Sequence, residues 1–388
     1  MRFAERVNLI QPFRVMEVVR RAAEFEAQGR RVVHFEVGEP DFATAEPIVD
    51  AGRQALRDGR TKYTEATGIV ALREAISSHY AQLDIQVPPN RIIVTSGASG
   101  GLTLLAALLL NPGDELLITD PGYPCNEVFA RLAGGVPKSI PVAASNLFQP
   151  TLAQVESYWS ADTRGVLFAS PANPTGTMLP AQTLQAIAGF VAAQDGFFIL
   201  DEIYQGLTPD AVYRSGLALA ENLFVLNSFS KFFGMTGWRL GWLVVPEEAV
   251  EGVTKLAQNL FIAPSSPAQY AALAAFSEAA MQIHFSRAEQ FTQRARLLTQ
   301  GLQQLGFSIP VQPQGAFYLY VDVSHTGLPA LEFCRRLLEE FQVAVTPGED
   351  FGANSDQKFV RFAFTTDEAS IVLGLERLQL ALQQWSAV

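Results

Sequence analysis

The stretch "LFVLNSFS" (residues 223–230) combines a short apolar run with polar residues at its end, and Lys231 follows directly. Four further runs have the same form, namely "RIIVTSG" (91–97), "ELLITDP" (115–121), "GVLFASP" (165–171) and "FFILDE" (197–202). Helix-like stretches lie between several of them. Short apolar runs that alternate with helices are typical of a mostly parallel sheet wrapped by helices. These runs therefore predict an α/β fold.

The polar residues that end these runs indicate where a ligand would bind. Open parallel sheets bind their ligands at the carboxyl ends of the strands. In this chain those ends carry residues 96–99, 120–123, 170–173, 201–204 and 228–231. We therefore expect one site, built from these segments.

The pattern changes toward the C-terminus. A long helical pattern runs to about Leu305, and then "GAFYLYVDV" (315–323) and "KFVRFAFT" (358–365) alternate like strands. Two more helical patterns cover residues 329–341 and 367–385. This mixture predicts a second, smaller α/β unit.

The length of the chain, 388 residues, suggests two domains. The segment "RVVHFEVGEPDF" (31–42) has the pattern of a strand that leads into a loop. We predict an N-terminal arm over residues 1–45 that forms part of the small domain. The large domain should then cover residues 46–285, and the small C-terminal domain residues 286–388.

Composition excludes several classes of protein. The net charge is −11 and no basic run stands out, so nucleic acid or an anionic membrane surface is not an expected partner. Two cysteines, Cys125 and Cys334, make neither a disulfide framework nor a multi-cysteine metal site, and we expect no metal. The longest apolar run, "LTLLAALLL" (102–110), is far shorter than the ~20 residues that span a bilayer. The N-terminus lacks the apolar core of a signal peptide, so we expect a cytoplasmic protein.

One group of residues favours an anion. "TSGASGG" (95–101) is a glycine-rich turn that opens a helix, and backbone N–H groups there, with the Ser99 hydroxyl, favour phosphate. By itself this turn fits an ordinary strand–helix connection equally well. Ser228 and Ser230 add hydroxyl donors, and Arg239 can grip a phosphate with two hydrogen bonds or form a structural salt bridge.

Lys231 needs a role apart from the phosphate. A lysine in a dry, cationic setting has a lowered pKa, and its neutral amine can form a Schiff base with an aldehyde. Asp201 either caps a helix or pairs with a protonated ring nitrogen. A phosphate, an aldehyde and a basic ring nitrogen together describe pyridoxal phosphate. Asn173 and Tyr204 could donate to its phenolic oxygen.

Four motifs of the chain resemble those of a known family. The motifs "SFSKFFGMTGWRLGW" (228–242), "ASPANPTG" (169–176), "LDEIY" (200–204) and "KYTEATGIVALREAI" (62–76) are similar to those of class I/II aminotransferases of pyridoxal-phosphate fold type I, the aspartate aminotransferase-like enzymes. The match extends from "VGEPDF" to "VRFAFT". The resemblance implies a large domain with a mostly parallel, seven-stranded-type sheet and a smaller α/β domain.

The resemblance also implies roles for matching positions in the cofactor site. Lys231 matches the Schiff-base lysine, which also acts as the general base. Asp201 matches the carboxylate on the ring nitrogen, and Asn173 and Tyr204 match the groups on the phenolic oxygen. The phosphate cup is matched by Ala98, Ser99, Ser228 and Arg239, beside Ser230. Lys231, Asp201 and Tyr204 are thus the expected catalytic residues.

Four further positions follow from the same resemblance. Tyr123 matches the aromatic residue that stacks on the ring. Tyr63 matches a tyrosine that reaches the phosphate of the neighbouring subunit, which implies a homodimer with shared sites. Arg361 matches the arginine that holds the substrate α-carboxylate, with Gly38 beside it and Asn173 close by.

The expected reaction moves an amino group between an L-amino acid and a 2-oxo acid by ping-pong steps through a Schiff base. One alternative is a lyase on the same scaffold, such as a β-C–S lyase or an aminocyclopropane-carboxylate synthase. Another is a transcription regulator with an aminotransferase-like sensor, but no basic helix–turn–helix segment precedes this region.

We predict a neutral, apolar or aromatic amino donor. An acidic side chain would need a cation in the pocket, because an unpaired buried carboxylate is unfavourable. Neither "SGASGGLTLLAALLL" (96–110) nor "NLFIAPSSPAQ" (259–269) contains a lysine or an arginine. The expected apolar walls are Phe13, Val37 and Phe351.

Overall fold

The computed structural model describes residues 1–12, 14–354 and 357–386. Its strands are β1 (Val33–His34), β2 (Ile92–Thr95), β3 (Glu115–Asp120), β4 (Val136–Pro141), β5 (Thr163–Ala169), β6 (Phe197–Asp201), β7 (Leu223–Ser228), β8 (Gly241–Val244), β9 (Tyr318–Asp322), β10 (Val343–Ala344), β11 (Thr346–Pro347) and β12 (Phe359–Ala363). Its helices are α1 (Arg14–Ala27), α2 (Glu46–Arg57), α3 (Val70–Ala81), α4 (Gly97–Leu109), α5 (Cys125–Leu132), α6 (Leu152–Tyr158), α7 (Ala181–Ala193), α8 (Val250–Leu260), α9 (Ser266–Leu273), α10 (Glu278–Gln304), α11 (Ala330–Phe341) and α12 (Glu368–Ser386).

A seven-stranded sheet forms the centre of the molecule, in the order β2-β8-β7-β6-β5-β3-β4. Every neighbouring pair from β7 to β4 is parallel, whereas β8 runs antiparallel to both β2 and β7. The five apolar runs of the sequence form β2, β3, β5, β6 and β7, because strands that helices cover on both faces bury most of their side chains. The predicted mostly parallel sheet is confirmed.

Helices cover both faces of this sheet. Neighbouring residues of a strand point to opposite faces, and β7 shows this arrangement clearly. Leu226 packs in one cluster with residues of α4 and α8, such as Leu105 and Val253. Val225 belongs to the cluster on the other face, where α3, α7 and α9 pack.

A second, antiparallel sheet has the order β11-β12-β9. Within it, Arg361 of β12 lies in register with Thr346 on one side and Tyr320 on the other. The N-terminal strand β1 is short and pairs in parallel with β10, and Ala363 N donates to Phe35 O at 2.7 Å. The segment after β1 therefore runs from the small sheet toward the carboxyl ends of the large one.

One element differs from the sequence-based expectation. The prediction of one continuous helical stretch up to about Leu305 is wrong, because this stretch forms two helices. Helix α9 ends at Leu273, and α10 begins at Glu278. The Ser277 side chain accepts a hydrogen bond from Ala280 N at 3.3 Å and caps α10. Among the residues that the structure describes, no helix is both long and apolar enough to cross a membrane.

Candidate active site

A cavity of about 320 Å³ lies where the strands of the large sheet end. Its lining includes most of the residues that the sequence predicted for the site: Gly38, Ala98, Ser99, Tyr123, Asn173, Asp201, Tyr204, Ser230, Lys231, Arg239 and Arg361. They come from distant parts of the chain and meet because parallel strands end at the same edge of the sheet.

One end of the cavity is suited to an anion. Helix α4 starts at Gly97, directly after β2, and the first N–H groups of a helix have no acceptor within the helix. Gly97 has a φ of +71°, and a Cβ atom there would lie 2.6 Å from Nη2 of Arg239. The Arg239 guanidinium thus lies against the start of α4. A helix start, a guanidinium and the hydroxyls of Ser99 and Ser230 together form a site for a phosphate.

Ser228 lies behind this end of the cavity and does not line it. Its side chain is buried, with Oγ 3.0 Å from Ser230 Oγ and 3.2 Å from Leu240 O. Ser230 N in turn donates to Ser228 Oγ at 3.1 Å. The structure therefore brings Ser230 to the cavity and places Ser228 where it orients Ser230.

Lys231 occupies the centre of the site, and its Nζ donates to Gly38 O at 2.6 Å. Burial lowers the pKa of Lys231 to about 8, and the charges of Arg361 and Arg239 act in the same direction, while Glu39 opposes them. Burial of a cation without enough compensating charge disfavours its protonated form. A neutral amine is therefore accessible to Lys231 near neutral pH.

Asp201 ends β6 and is 5% exposed. Burial raises the pKa of Asp201 to about 6, while a hydrogen bond from Ile203 N to Oδ1, 3.0 Å long, and the charge of Lys231 act against this rise. The carboxyl group is thus ionised at neutral pH although its side chain is almost fully buried. A carboxylate in such a place favours a cationic hydrogen-bond donor.

Arg361 is 5% exposed and is held from several sides. Nη1 donates to Asn173 Oδ1 at 2.9 Å, and Nη2 donates to Glu36 O at 2.5 Å. The guanidinium carbon lies 4.5 Å from the ring centre of Tyr318 and 4.9 Å from that of Phe351. Its Nε is buried without a hydrogen-bond partner among the described residues.

Tyr204 and Tyr318 form a hydroxyl pair, with 2.8 Å between the two oxygens. Burial raises the pKa of Tyr204 well above its usual range, so the phenol keeps its proton and can donate a hydrogen bond. Gly38 packs against the Tyr318 hydroxyl, where a Cβ atom would not fit. Tyr318 could not be recognised as a site residue from the sequence, because only the pairing of β9 with β12 brings its ring against Arg361.

Of the three residues predicted as apolar walls of the cavity, the structure shows one in the lining. Val37 lines the cavity, whereas Phe351 lies against the Arg361 guanidinium and is not among the lining residues. Phe13 lies outside the described residues. The apolar wall is completed instead by residues that the sequence did not indicate, namely Val15, Met16 and Val19 of α1 and Leu102 of α4.

Tyr63 lies outside the cavity of its own chain. It precedes α3 in an irregular segment, and it is 81% exposed. Nothing in a single chain brings its hydroxyl to the anion end of the cavity, so its predicted contact with a neighbouring subunit stays a prediction.

Residues 30–378 match the sequence pattern of the family described as aminotransferase class I and II. The chain is 37% identical to a valine–pyruvate aminotransferase of Mycobacterium tuberculosis, over 95% of this chain and 96% of that one. It is 34% identical to a (5-formylfuran-3-yl)methyl phosphate transaminase of Methanocaldococcus jannaschii, over 97% of this chain and 98% of that one.

A solved structure gives the same result. Aspartate aminotransferase from Thermus thermophilus, with maleate, superposes with a TM-score of 0.92 at 33% identity, covering 98% of this chain and 100% of the other. The chain therefore belongs to the class I and II aminotransferases, enzymes that use pyridoxal phosphate to move amino groups between amino acids and 2-oxo acids. The predicted family, fold, cofactor and reaction class are confirmed.

The cavity itself fits this cofactor. Gly97 leaves the space that brings Arg239 against the start of α4, and that end would hold the phosphate. The buried amine of Lys231 would meet the aldehyde, and the Asp201 carboxylate would meet the ring nitrogen. Tyr204 and Asn173 carry the groups that could bond to the phenolic oxygen, and Tyr123 lines the same cavity.

Proposed function

We propose that this aminotransferase takes a neutral L-amino acid, preferably an apolar or aromatic one, as its amino donor. The observation that carries this proposal is the set of charges around the cavity. Among the described residues that line it, the cations are Lys231, Arg239 and Arg361. Each has a partner in the proposed roles: the aldehyde, the phosphate and the α-carboxylate.

No cation of this lining is then left for an acidic side chain. Besides Asp201, the lining contains Glu36 and Glu39, and neither of these acidic side chains could pair with a second carboxylate. An unpaired carboxylate in a dry site is strongly unfavourable. Val15, Met16, Val19 and Val37 offer apolar surface instead. Burial of an apolar side chain against such a wall contributes about 0.8 kcal/mol per CH₂ group.

The proposed roles of the chain's own residues follow from their contacts. Pyridoxal phosphate, when bound, supplies an aldehyde that can bond to an amine and a ring that can take up an electron pair. Arg361 and Asn173 bind the donor's α-carboxylate and fix its orientation. Lys231, with a pKa of about 8, removes the α-proton as a neutral amine and returns it. Asp201 keeps a proton on the ring nitrogen, and Tyr204 donates a hydrogen bond from its phenol.

We also propose a homodimer with shared sites and the domain bounds given above. Exposed apolar residues of the segment that precedes α9 support an interface: Leu260, Phe261 and Ile262 are 51%, 36% and 51% exposed. Tyr63 is exposed as well, as a residue that contacts a second copy would be in a single chain. Both cysteines are free thiols, and this agrees with a proposed location in the cytoplasm.

A panel of donors tests the substrate class. The values of kcat/KM for aspartate, alanine, leucine, methionine and phenylalanine are measured with one common 2-oxo acid. We expect leucine, methionine and phenylalanine to exceed aspartate by at least tenfold, since several buried CH₂ groups replace one unpaired carboxylate. Aspartate as the best donor would contradict the proposal.

A further inference from the structure

Helix α1 begins with an acceptor that comes from the other end of the chain. The backbone N–H groups of Arg14 and Val15 donate to Oδ1 and Oδ2 of Asp350, at 2.9 and 2.8 Å. The first N–H groups of a helix have no acceptor within it, and a local side chain usually supplies one. Here a carboxylate 336 residues away from Arg14 takes that place.

Asp350 is itself held in place. It is 8% exposed and belongs to a segment, residues 350–354, that lies across the end of β3. The Asp120 carboxylate at that strand end accepts hydrogen bonds from Ala353 N at 3.0 Å and Asn354 N at 3.2 Å. Gly122 N donates to Phe351 O at 2.8 Å. Hydrogen bonds thus tie residues 351–354 to the end of β3, and Asp350, next to them in the chain, ties α1 to the same segment.

The first turns of α1 form one wall of the cavity. Val15, Met16 and Val19 all line it, and Val15 N is one of the two groups that Asp350 fixes. A helix start without its acceptor frays within the first turn. Loss of Asp350 would therefore loosen the wall and leave the anion end, the Lys231 amine and Asp201 in place.

We propose that Asp350 is a positioning residue for donor specificity: it fixes the start of α1 so that its apolar wall contacts large donor side chains. This rests on the proposed function, because it assigns the α1 wall to the side chain of a neutral donor. Phenylalanine and leucine reach such a wall, whereas the methyl group of alanine is too short to depend on it. Asp350 therefore acts on the ratio between large and small donors.

The test compares Asp350→Ala and Asp350→Asn with a matched control, Thr151→Ala. Thr151 also accepts a hydrogen bond at a helix start, because it precedes α6 and Gln154 N donates to its Oγ1 at 3.2 Å, but it lies outside the cavity lining. In Asp350→Ala we expect kcat/KM for phenylalanine and leucine to fall roughly tenfold, mainly through KM, with alanine changed less than about twofold. Asparagine keeps one acceptor oxygen and loses the other, so Asp350→Asn should lose less of the preference than Asp350→Ala.

Hydrogen exchange gives a second measurement that needs no turnover. The amides of Arg14 and Val15 should exchange faster in Asp350→Ala than in the wild-type protein or in Thr151→Ala. If the wild-type enzyme accepted no neutral donor, the proposed function would fail, while the exchange result would still report on α1. Equal loss of kcat/KM for all donors would place the effect at the neighbouring Arg361, and it would overturn the proposal. Unchanged exchange at both amides, or an unchanged donor ratio, would overturn it as well.

Discussion

Replacement of Arg361 is the most direct test of the proposed substrate site. An arginine has five N–H donors, and the contacts with Asn173, Glu36 O and Thr346 Oγ1 use three of them. Two donors, including the buried Nε–H, thus have no partner among the described residues. The paired edge formed by Nη1 and Nη2 is the one that suits a carboxylate, so a bound α-carboxylate would take the place of one of the present Nη2 contacts.

The magnitude follows from the burial of this side chain. Removal of one partner from a buried, hydrogen-bonded charge pair costs about 2–5 kcal/mol, and each tenfold change corresponds to about 1.4 kcal/mol. Because Arg361 is only 5% exposed, we expect the upper part of that range. Arg361→Ala should lower kcat/KM by about a thousandfold for every donor. Arg361→Lys keeps the charge but loses the planar fork, so its loss should be smaller, roughly ten- to a hundredfold.

The assay is steady-state transamination with one 2-oxo acid and several donors, together with a titration of the apoprotein with pyridoxal phosphate. Cofactor affinity should stay within about threefold of wild type, since the phosphate end of the site lies at α4 and Arg239. If Arg361→Ala lost cofactor and amino-acid binding in parallel, the arginine would serve folding and the assignment would be wrong. A loss of kcat/KM below tenfold would contradict the reasoning too.

Two further predictions concern Glu202 and Tyr63. Burial raises the pKa of Glu202 from its ordinary 4.5 to about 8. Between these two pH values the folded apoprotein keeps a proton that the unfolded chain has released. The free energy of unfolding should therefore fall as the pH rises from 4.5 to 8. Glu202→Gln has no group that titrates in this range, so its melting temperature should change less between pH 6 and 8 than that of the wild type. If both proteins lost melting temperature equally over this range, Glu202 would not be the group responsible. For Tyr63, a mixed dimer of Tyr63→Phe and Lys231→Ala subunits should show about half of the wild-type activity, because one site then keeps both native residues. A mixed dimer without a fully active site would show that Tyr63 serves its own chain.

Much of the cofactor site could be predicted from local sequence. Strand β6 is an apolar run that ends in Asp201, and β7 is one that leads to Lys231. A parallel strand buried on both faces needs such a run, and its carboxyl end must carry polar residues if a ligand binds there. The turn at Gly97 could also be predicted from local sequence, because a tight strand–helix turn with positive φ favours glycine.

The substrate side of the site was less accessible to prediction. Phe351 was expected as a wall and lies instead against Arg361, while α1 supplies Val15, Met16 and Val19. An amphipathic helix has the same pattern whether its apolar face covers a core or a cavity. Ser228 was expected in the phosphate cup, but its hydroxyl contacts Ser230 and Leu240 O and does not line the cavity.

Five strands of the large sheet, the polar residues at their ends and the chemistry that those residues suit could be predicted from local sequence alone. Each of these depends on neighbours in the chain, through side-chain alternation, turn geometry and the burial of apolar runs. The contact of Tyr318 with Arg361 and the hydrogen bonds from the start of α1 to Asp350 depend instead on how the elements pack. Contacts between residues hundreds of positions apart depend on how two sheets and a helix pack together, and no local pattern of residues records that geometry.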